Sequence, residues 1–246
     1  MLIPVEVLKD RFGISPTGIL HVGAHLAEER VEYENAGWSA LNPIIWIESQ
    51  IDLAAKLTEV LNPKTNKVIN ATVWSETGKE MTFHVANNSQ SSSLYDLGTH
   101  ATTYPEIKFS SDRTVTTVRL DEIIRESDDI SFINLDIQGA ELEALKGLGS
   151  RIHKVKWIYS EVNKRSVYEG CAIVGELDDY LKQYSFTRVA TRWAYKTGWG
   201  DALWIKRSER RSVTKAILIF KVTEILRLIK LVSYQIKHEI KVKFHA

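Results

Sequence analysis

Short runs of β-branched and aliphatic residues alternate along most of the chain with segments whose apolar positions recur every three or four residues. That rhythm predicts a parallel sheet with helices on both faces. Residues 18–22 (GILHV) stop at Gly23 and lead into a helical stretch over 27–36. Residues 44–47 (IIWI) end at Glu48 and precede a helix over 52–61 that Asn62 and Pro63 close. A third strand over 67–73 passes through Gly78 into the alternating residues 81–85 (MTFHV), where the rhythm breaks. Residues 86–113, rich in Ser, Asn and Thr, read as a long loop with a short helix, a length that in compact domains belongs to lids and binding segments.

The parallel pattern is expected to resume over 115–120, then over 130–135, where ISFINL runs into Asp136. The helical spacing of QGAELEALKGL follows, with Gly147 as its cap. Residues 155–159 form the next buried strand, ending near Glu161, and 173–184 a helix. Strands over 186–190 and 202–206 flank a turn with Gly198 and Gly200 and predict an antiparallel hairpin at the sheet edge.

A chain of 246 residues with 44% apolar content is large enough for one such domain with an appendage. The expected division is an N-terminal segment over 1–17, a core domain over 18–207 and a helical tail over 208–246. A net charge of +1 gives no electrostatic reason to expect nucleic acid as a partner. From Glu209 onward nine basic residues face three acidic ones, a net +6 that leaves the preceding body at −5. Cys171 is the single cysteine, so no internal disulfide or cysteine zinc site forms. Residues 1–13 lack the unbroken apolar core of a signal peptide, and no stretch reads as a transmembrane helix. The expected location is cytoplasmic, with peripheral membrane contact through the tail as an extension.

In open α/β sheets ligands bind beyond the carboxyl ends of the strands, near the point where strand order reverses. His21, Val22, Gly23, Ala24 and His25 form the first strand-to-helix turn. Glu48 stands at the end of the second strand, about where nucleotide-binding folds place an acidic residue for ribose hydroxyls. Asp136 and Glu161 add two more strand-end carboxylates. Like charges gathered in one place cost energy unless a ligand or donor satisfies them. Glu141 reads equally as a cap of its own helix. Nothing in the carboxylate spacing demands a metal, and none is expected.

These residues resemble the FkbM family of methyltransferases. The hallmark is LDIQGAELEALKG over 135–147, supported by NATVWSETG over 70–78, SSSL over 91–94, VRLDEII over 118–124 and GWGDALWIK over 198–206. The likeness runs from about residue 18 to 206, with Ala27 where the family usually has a second glycine. It implies a Rossmann-like methyltransferase fold: a mostly parallel seven-stranded sheet with an antiparallel edge hairpin. It also implies an S-adenosylmethionine pocket lined by His21, Val22, Gly23, Ala24, His25, Glu48, Ser49, Asn70, Ala71, Thr72 and Asp136.

The implied activity is O-methylation of a saccharide, glycolipid or small-molecule hydroxyl. Asp136 is expected nearest the reacting methyl and Glu161 to act as general base. Ser93, Glu161, Tyr168 and Trp199 are expected to contact the acceptor, with Trp193 as a further aromatic face, and His25 and His100 are weaker candidates for the base. The competing readings are an NAD-binding oxidoreductase and a non-catalytic binding protein on the same scaffold; the missing GxGxxG counts against the first.

The tail is a continuous helical segment with an apolar stripe of Leu218, Val222, Ile225, Ile229, Val232, Ile236 and Ile240, and basic residues Arg227, Lys230, Lys237 and Lys241 on another face. It suits a membrane surface, self-association through 209–246, or docking on its own domain.

Overall fold

Strands buried on both faces need apolar residues at every position, and the strands beside the sheet's centre meet that demand. The computed structural model describes residues 1–40, 42–210 and 213–244, with side chains up to Gln235. Helix α1 (Val5–Phe12) leads to β1 (Ile19–Val22), α2 (Arg30–Asn35), β2 (Ile44–Glu48), α3 (Ile51–Val60) and β3 (Asn66–Asn70). Next come β4 (Thr72–Val73), β5 (Glu80–Ala86), α4 (His100–Thr103), β6 (Phe109–Val118), α5 (Leu120–Ile123), β7 (Phe132–Leu135) and α6 (Glu141–Gly147). The chain ends with β8 (Trp157–Asn163), α7 (Val174–Lys182), β9 (Phe186–Trp193), β10 (Trp199–Lys206) and α8 (Thr214–Phe244).

Seven strands form one sheet in the order β3-β2-β1-β7-β8-β10-β9. Pairing is parallel from β3 through β8, while β10 runs antiparallel to both β8 and β9. The expected terminal hairpin is present, but its second strand is the inner one and β9 the edge. Strand order reverses between β1 and β7, so a crevice opens above their tips.

One face of the sheet buries Tyr33, Trp46, Phe132 and Tyr159 against α1 to α3 and the start of α8. The other buries Ile133, Ile158 and Trp204 against α5, α6 and α7. Ile3, Leu8 and Phe12 of the N-terminal segment belong to the first of these clusters, so this segment completes the core.

Three expectations change. The strand expected over 67–73 divides at Ala71: β4 leaves the main sheet and joins β5 and β6 in a second sheet, ordered β4-β6-β5. The strand expected over 115–120 in the parallel sheet is the end of β6, which pairs antiparallel with β5 instead. Most of β6 is exposed, so its polar alternation marks a strand that faces water rather than a buried one. Gly147 does not cap α6; a β-carbon there would stand 2.4 Å from the Trp74 carbonyl oxygen, so its role is close approach between helix and chain.

Gly23 is the tightest point. Its φ is +86°, and a β-carbon would lie 1.8 Å from the backbone oxygen of Asp136 at the tip of the neighbouring strand. Gly78 has a similar φ of +82° with nothing within 4 Å. Gly78→Ala should therefore cost only the left-handed penalty of about 1–2 kcal/mol. Gly23→Ala should cost roughly 3 kcal/mol or more, because backbone must also give way. In a chain of this size that is a melting temperature lower by roughly 6–12 °C. Calorimetric melting of the two variants checks the difference, and equal losses would show that the β1 and β7 tips are not locked together.

Candidate active site

A cavity of about 650 Å³ opens over the reversal point between β1 and β7. The first turn of its wall is made by residues 23–27, and nearly every backbone donor there has an internal partner. Gly23 and Ala24 donate to Ile47 O at 2.9 and 3.0 Å, His25 N to Glu48 Oε2 at 2.8 Å, and Leu26 N to Glu28 Oε2 at 3.2 Å. The expected helix over 27–36 begins only at Arg30, since His25 and Ala27 take φ values of 43° and 55°. Ala27 thus occupies a left-handed conformation at the position where the resemblance anticipates glycine.

Glu48 is buried at the end of β2, and its Oε1 accepts from Gln50 N at 2.8 Å. Burial raises its pKa, opposed by these backbone donors. Each carboxylate oxygen holds one N–H and keeps a lone pair for a hydroxyl from the cavity. Asn70 donates to Glu48 O and Ser49 O at 2.8 and 3.1 Å, so it shapes the turn without itself lining the cavity. Ala71, Thr72, Val73, Phe83 and Ile47 make a flat, mostly apolar wall beside it.

The opposite end is acidic. Gln138, at φ +53°, reaches Asp136 Oδ1 at 2.6 Å and Glu161 Oε2 at 3.2 Å with a single amide nitrogen. Tyr168 OH donates to Gln138 Oε1 at 2.5 Å and Ser93 Oγ to Gln138 O at 2.7 Å, which hold the bridge in place. The Asp136 and Glu161 carboxyls thus accept from the same amide nitrogen. Burial, and then the charge of Asp201, push Asp136 up to about 6, although its side chain still meets solvent through the cavity. Burial, and then Asp136, push Glu161 well above the usual carboxylate range. Two close carboxyls cannot both ionise cheaply, so the deeper Glu161 keeps a proton and Asp136 ionises first. That protonation works against Glu161 as a neutral-pH base.

Asp201 completes this end. It accepts from Tyr159 OH and Leu2 N, both at 2.5 Å, and burial raises its pKa. Glu141 does not face the cavity mouth: its Oε1 accepts from Ile137 N and Gly139 N at 3.1 Å each, fastening the loop that carries Gln138. Burial raises it to about 7.

His21 forms part of the cavity floor. It packs 4.8 Å from the Trp46 ring, within 3.3 Å of Tyr33 OH and Asn134 Nδ2, and burial lowers its pKa.

The outer wall comes from the 86–113 stretch folding back on 164–170. Gly98 and His100 donate to Val167 O, both at 3.0 Å, and Trp199 Nε1 donates to Tyr104 OH at 3.2 Å. His100 is buried between Tyr104 and Tyr168, with ring centroids at 5.0 and 5.3 Å, and its Nδ1 has no partner. His25 Nε2 meets Ser89 Oγ at 2.8 Å, and Gln50 Nε2 donates to Ser89 O at 3.1 Å, which ties a strap of residues 88–92 across the first two turns.

Of the residues expected to bind, His21, Val22, Gly23, His25, Glu48, Ser49, Ala71, Thr72, Asp136, Glu161 and Trp199 line one cavity. Ala24, Asn70, Ser93 and Tyr168 stand behind the lining and hold it. Trp193 is away from the cavity, half-buried under Lys164. Gln138, Glu29, Asp201 and the Ser89 strap were not anticipated.

Among the described residues lining the cavity there are seven carboxylates and no lysine or arginine. A pyrophosphate would find neither a cation nor a free N–H in the first turn, which argues against the dinucleotide reading. S-adenosylmethionine fits this donor set: its sulfonium is a cation, and its ribose hydroxyls match the spare lone pairs of Glu48.

Residues 21–187 match the methyltransferase FkbM domain. The 2-O-methyltransferase NoeI of Sinorhizobium fredii is 27% identical over 140 residues, which is 53% of this chain and 58% of that protein, so the chain spans little more than half the length of this relative. Among solved structures, a methyltransferase FkbM from Methylobacillus flagellatus superposes with a TM-score of 0.49 at 17% identity, covering 82% of this chain and 48% of that one. A SAM dependent methyltransferase from Aquifex aeolicus gives a TM-score of 0.45 at 13% identity over 83% and 90% of the two chains. The domain match covers well over half of the residues, and the chain belongs to the FkbM family of S-adenosylmethionine-dependent methyltransferases.

Proposed function

We propose that this protein transfers a methyl group from S-adenosylmethionine to a hydroxyl of an uncharged or amine-bearing saccharide or glycoconjugate. The observation that carries this reading is the cavity's charge: seven carboxylates with no lysine or arginine attract a cationic donor and repel an anionic acceptor. The 2-O-methyltransferase relative supports oxygen as the methylated atom. Trp199 and Tyr104, joined by a hydrogen bond at the outer wall, offer aromatic rings suited to a sugar.

Methyl transfer is an in-line displacement that depends on alignment, exclusion of water and loss of one proton. When bound, S-adenosylmethionine supplies a methyl group activated by the positive sulfur. Glu48 would hold the ribose hydroxyls, and Ala71, Val73 and Phe83 would border the adenine. The Ser89 strap closes over the first turn and keeps water out. Asp136, with one oxygen held by Gln138, takes the acceptor proton. Glu161 stays protonated and shares the Gln138 amide with Asp136.

Glu48→Gln should weaken donor binding by about tenfold to a hundredfold, the loss of hydrogen bonds to a charged group. Isothermal calorimetry with S-adenosylhomocysteine measures it, and affinity at the wild-type level would remove Glu48 from the donor site. A complete absence of heat with the wild-type chain would remove the whole reading.

Because the base must be ionised, kcat/KM should fall as pH drops through about 6, the value to which Asp136 is raised. Asp136→Asn should lower kcat by about a hundredfold to ten-thousandfold. Glu161→Gln, which mimics the protonated state, should keep most of the activity. The opposite ranking would return the base to Glu161.

In a panel of matched acceptors, neutral or amino sugars should be methylated at least ten times faster than their phosphate or uronate counterparts, as expected where like charges are brought into one low-dielectric site. Equal rates would show that the acceptor binds outside the acidic end.

A further inference from the structure

Helix α8 meets the body through one face only. Val213 at its entrance, Ala216 and Phe220 are buried, and the Phe220 ring lies 5.7 Å from that of Phe12. Arg192 of β9 grips Glu224 Oε1 through two nitrogens at 2.8 and 2.5 Å, Arg227 Nε donates to Glu224 Oε2 at 2.8 Å, and Tyr195 OH donates to Gln235 Oε1 at 2.9 Å. These contacts fix the rotation of the helix about its axis.

That rotation turns the apolar stripe away from the protein. Leu218, Val222, Ile225, Leu226, Ile229 and Val232 recur by threes and fours on the opposite side and are each 45–65% exposed. Single exposed apolar side chains are ordinary, but a contiguous row along about four helical turns marks a contact surface. Ile236, Ile240, Lys237 and Lys241, which continue the pattern in sequence, lie outside the described side chains.

We propose that this outward face of α8 binds an anionic lipid surface. The charges decide between occupants. Lys215 and Lys230 flank one side of the stripe and Lys221 the other, and the one acidic residue among the described side chains of α8, Glu224, is turned inward and paired. A second copy laid along this stripe would set lysines against lysines, whereas a helical pair draws on opposite charges at its margins. Phosphate and carboxylate headgroups instead complement every flanking charge. The described helices contain no segment long and apolar enough to cross a membrane, so the helix lies in the interface rather than through it. Its later turns, at Gln235, adjoin Tyr195 just beyond β9, at the sheet edge where the cavity opens.

The full chain should co-sediment with vesicles of phosphatidylcholine and phosphatidylserine in equal parts, and at least tenfold more weakly with phosphatidylcholine alone. Ile225→Glu with Ile229→Glu should reduce binding more than tenfold. Lys221→Glu with Lys230→Glu should do the same through charge, since each basic residue contributes roughly fivefold. Both variants alter exposed positions and should melt with the wild type. The proposal is overturned if neither vesicle binds, if both bind equally, or if the variants bind as the wild type does. It is also overturned if sedimentation velocity shows a dimer that the Ile225/Ile229 variant dissociates while vesicles go unbound.

Discussion

The site depends on the contact between Gly23 and the backbone oxygen of Asp136, where the tips of β1 and β7 come closer than any side chain would permit. With the two tips joined, β2 and β8 fall on either side and deliver Glu48 and Glu161 to opposite ends of one cavity. The same closeness leaves the chain after Gly23 no room to start a helix. It curls through His25 and Ala27 with positive φ, and α2 starts late. The N–H of His25 is thereby aimed at Glu48, fixing the carboxylate. One steric constraint thus sets the floor, the turn and the orientation of a functional side chain.

The cavity's chemistry follows from how those carboxylates are solvated. In a cleft without lysine or arginine, burial raises the proton affinity of Asp136 and Glu161, and the neighbouring carboxylates add to the effect. The molecule relieves this by sharing one amide, Gln138, between Asp136 and Glu161 and by leaving a proton on the deeper of the two. The remaining negative charge is worth more in this setting than in water. A cation that enters gains that interaction, and an anion loses it. Electrostatics that favour a cationic donor would therefore also restrict the acceptor, without any contact dedicated to the restriction.

Legibility in the sequence tracked burial. The tips of β1, β2 and β7 were readable because strands covered on both faces are unbroken apolar runs ended by Gly23, Glu48 and Asp136. The second sheet was not, because β6 is largely exposed and its partner β5 is contributed by a segment that looked like the end of the parallel pattern. Gln138 carries no signal outside its fold: its importance comes from a left-handed backbone and from Tyr168, 30 residues away, turning its amide. Asp201 was hidden for a similar reason. Only the insertion of β10 between β8 and β9 brings it beside Tyr159. The tail's periodicity was plain in sequence, but the face that docks is set by Arg192, 32 residues before its partner Glu224, and by Phe12 near the other end of the chain.

The two oppositely charged parts of the chain make a single arrangement. The body before residue 209 carries −5 and the tail +6, so an anionic surface would repel the first and attract the second. At physiological salt, interactions fade over about 8 Å. Only charges near the surface would then count, and the exposed lysines of a helix held to the flank of β9 would supply the attraction. Such a geometry would give orientation as well as attachment: the Arg192–Glu224–Arg227 cluster holds α8 against rolling, so the edge at which the cavity opens would keep a constant relation to a lipid plane. A saccharide carried on an anionic anchor would then leave its charged link at the surface and present only its uncharged ring to the carboxylates within.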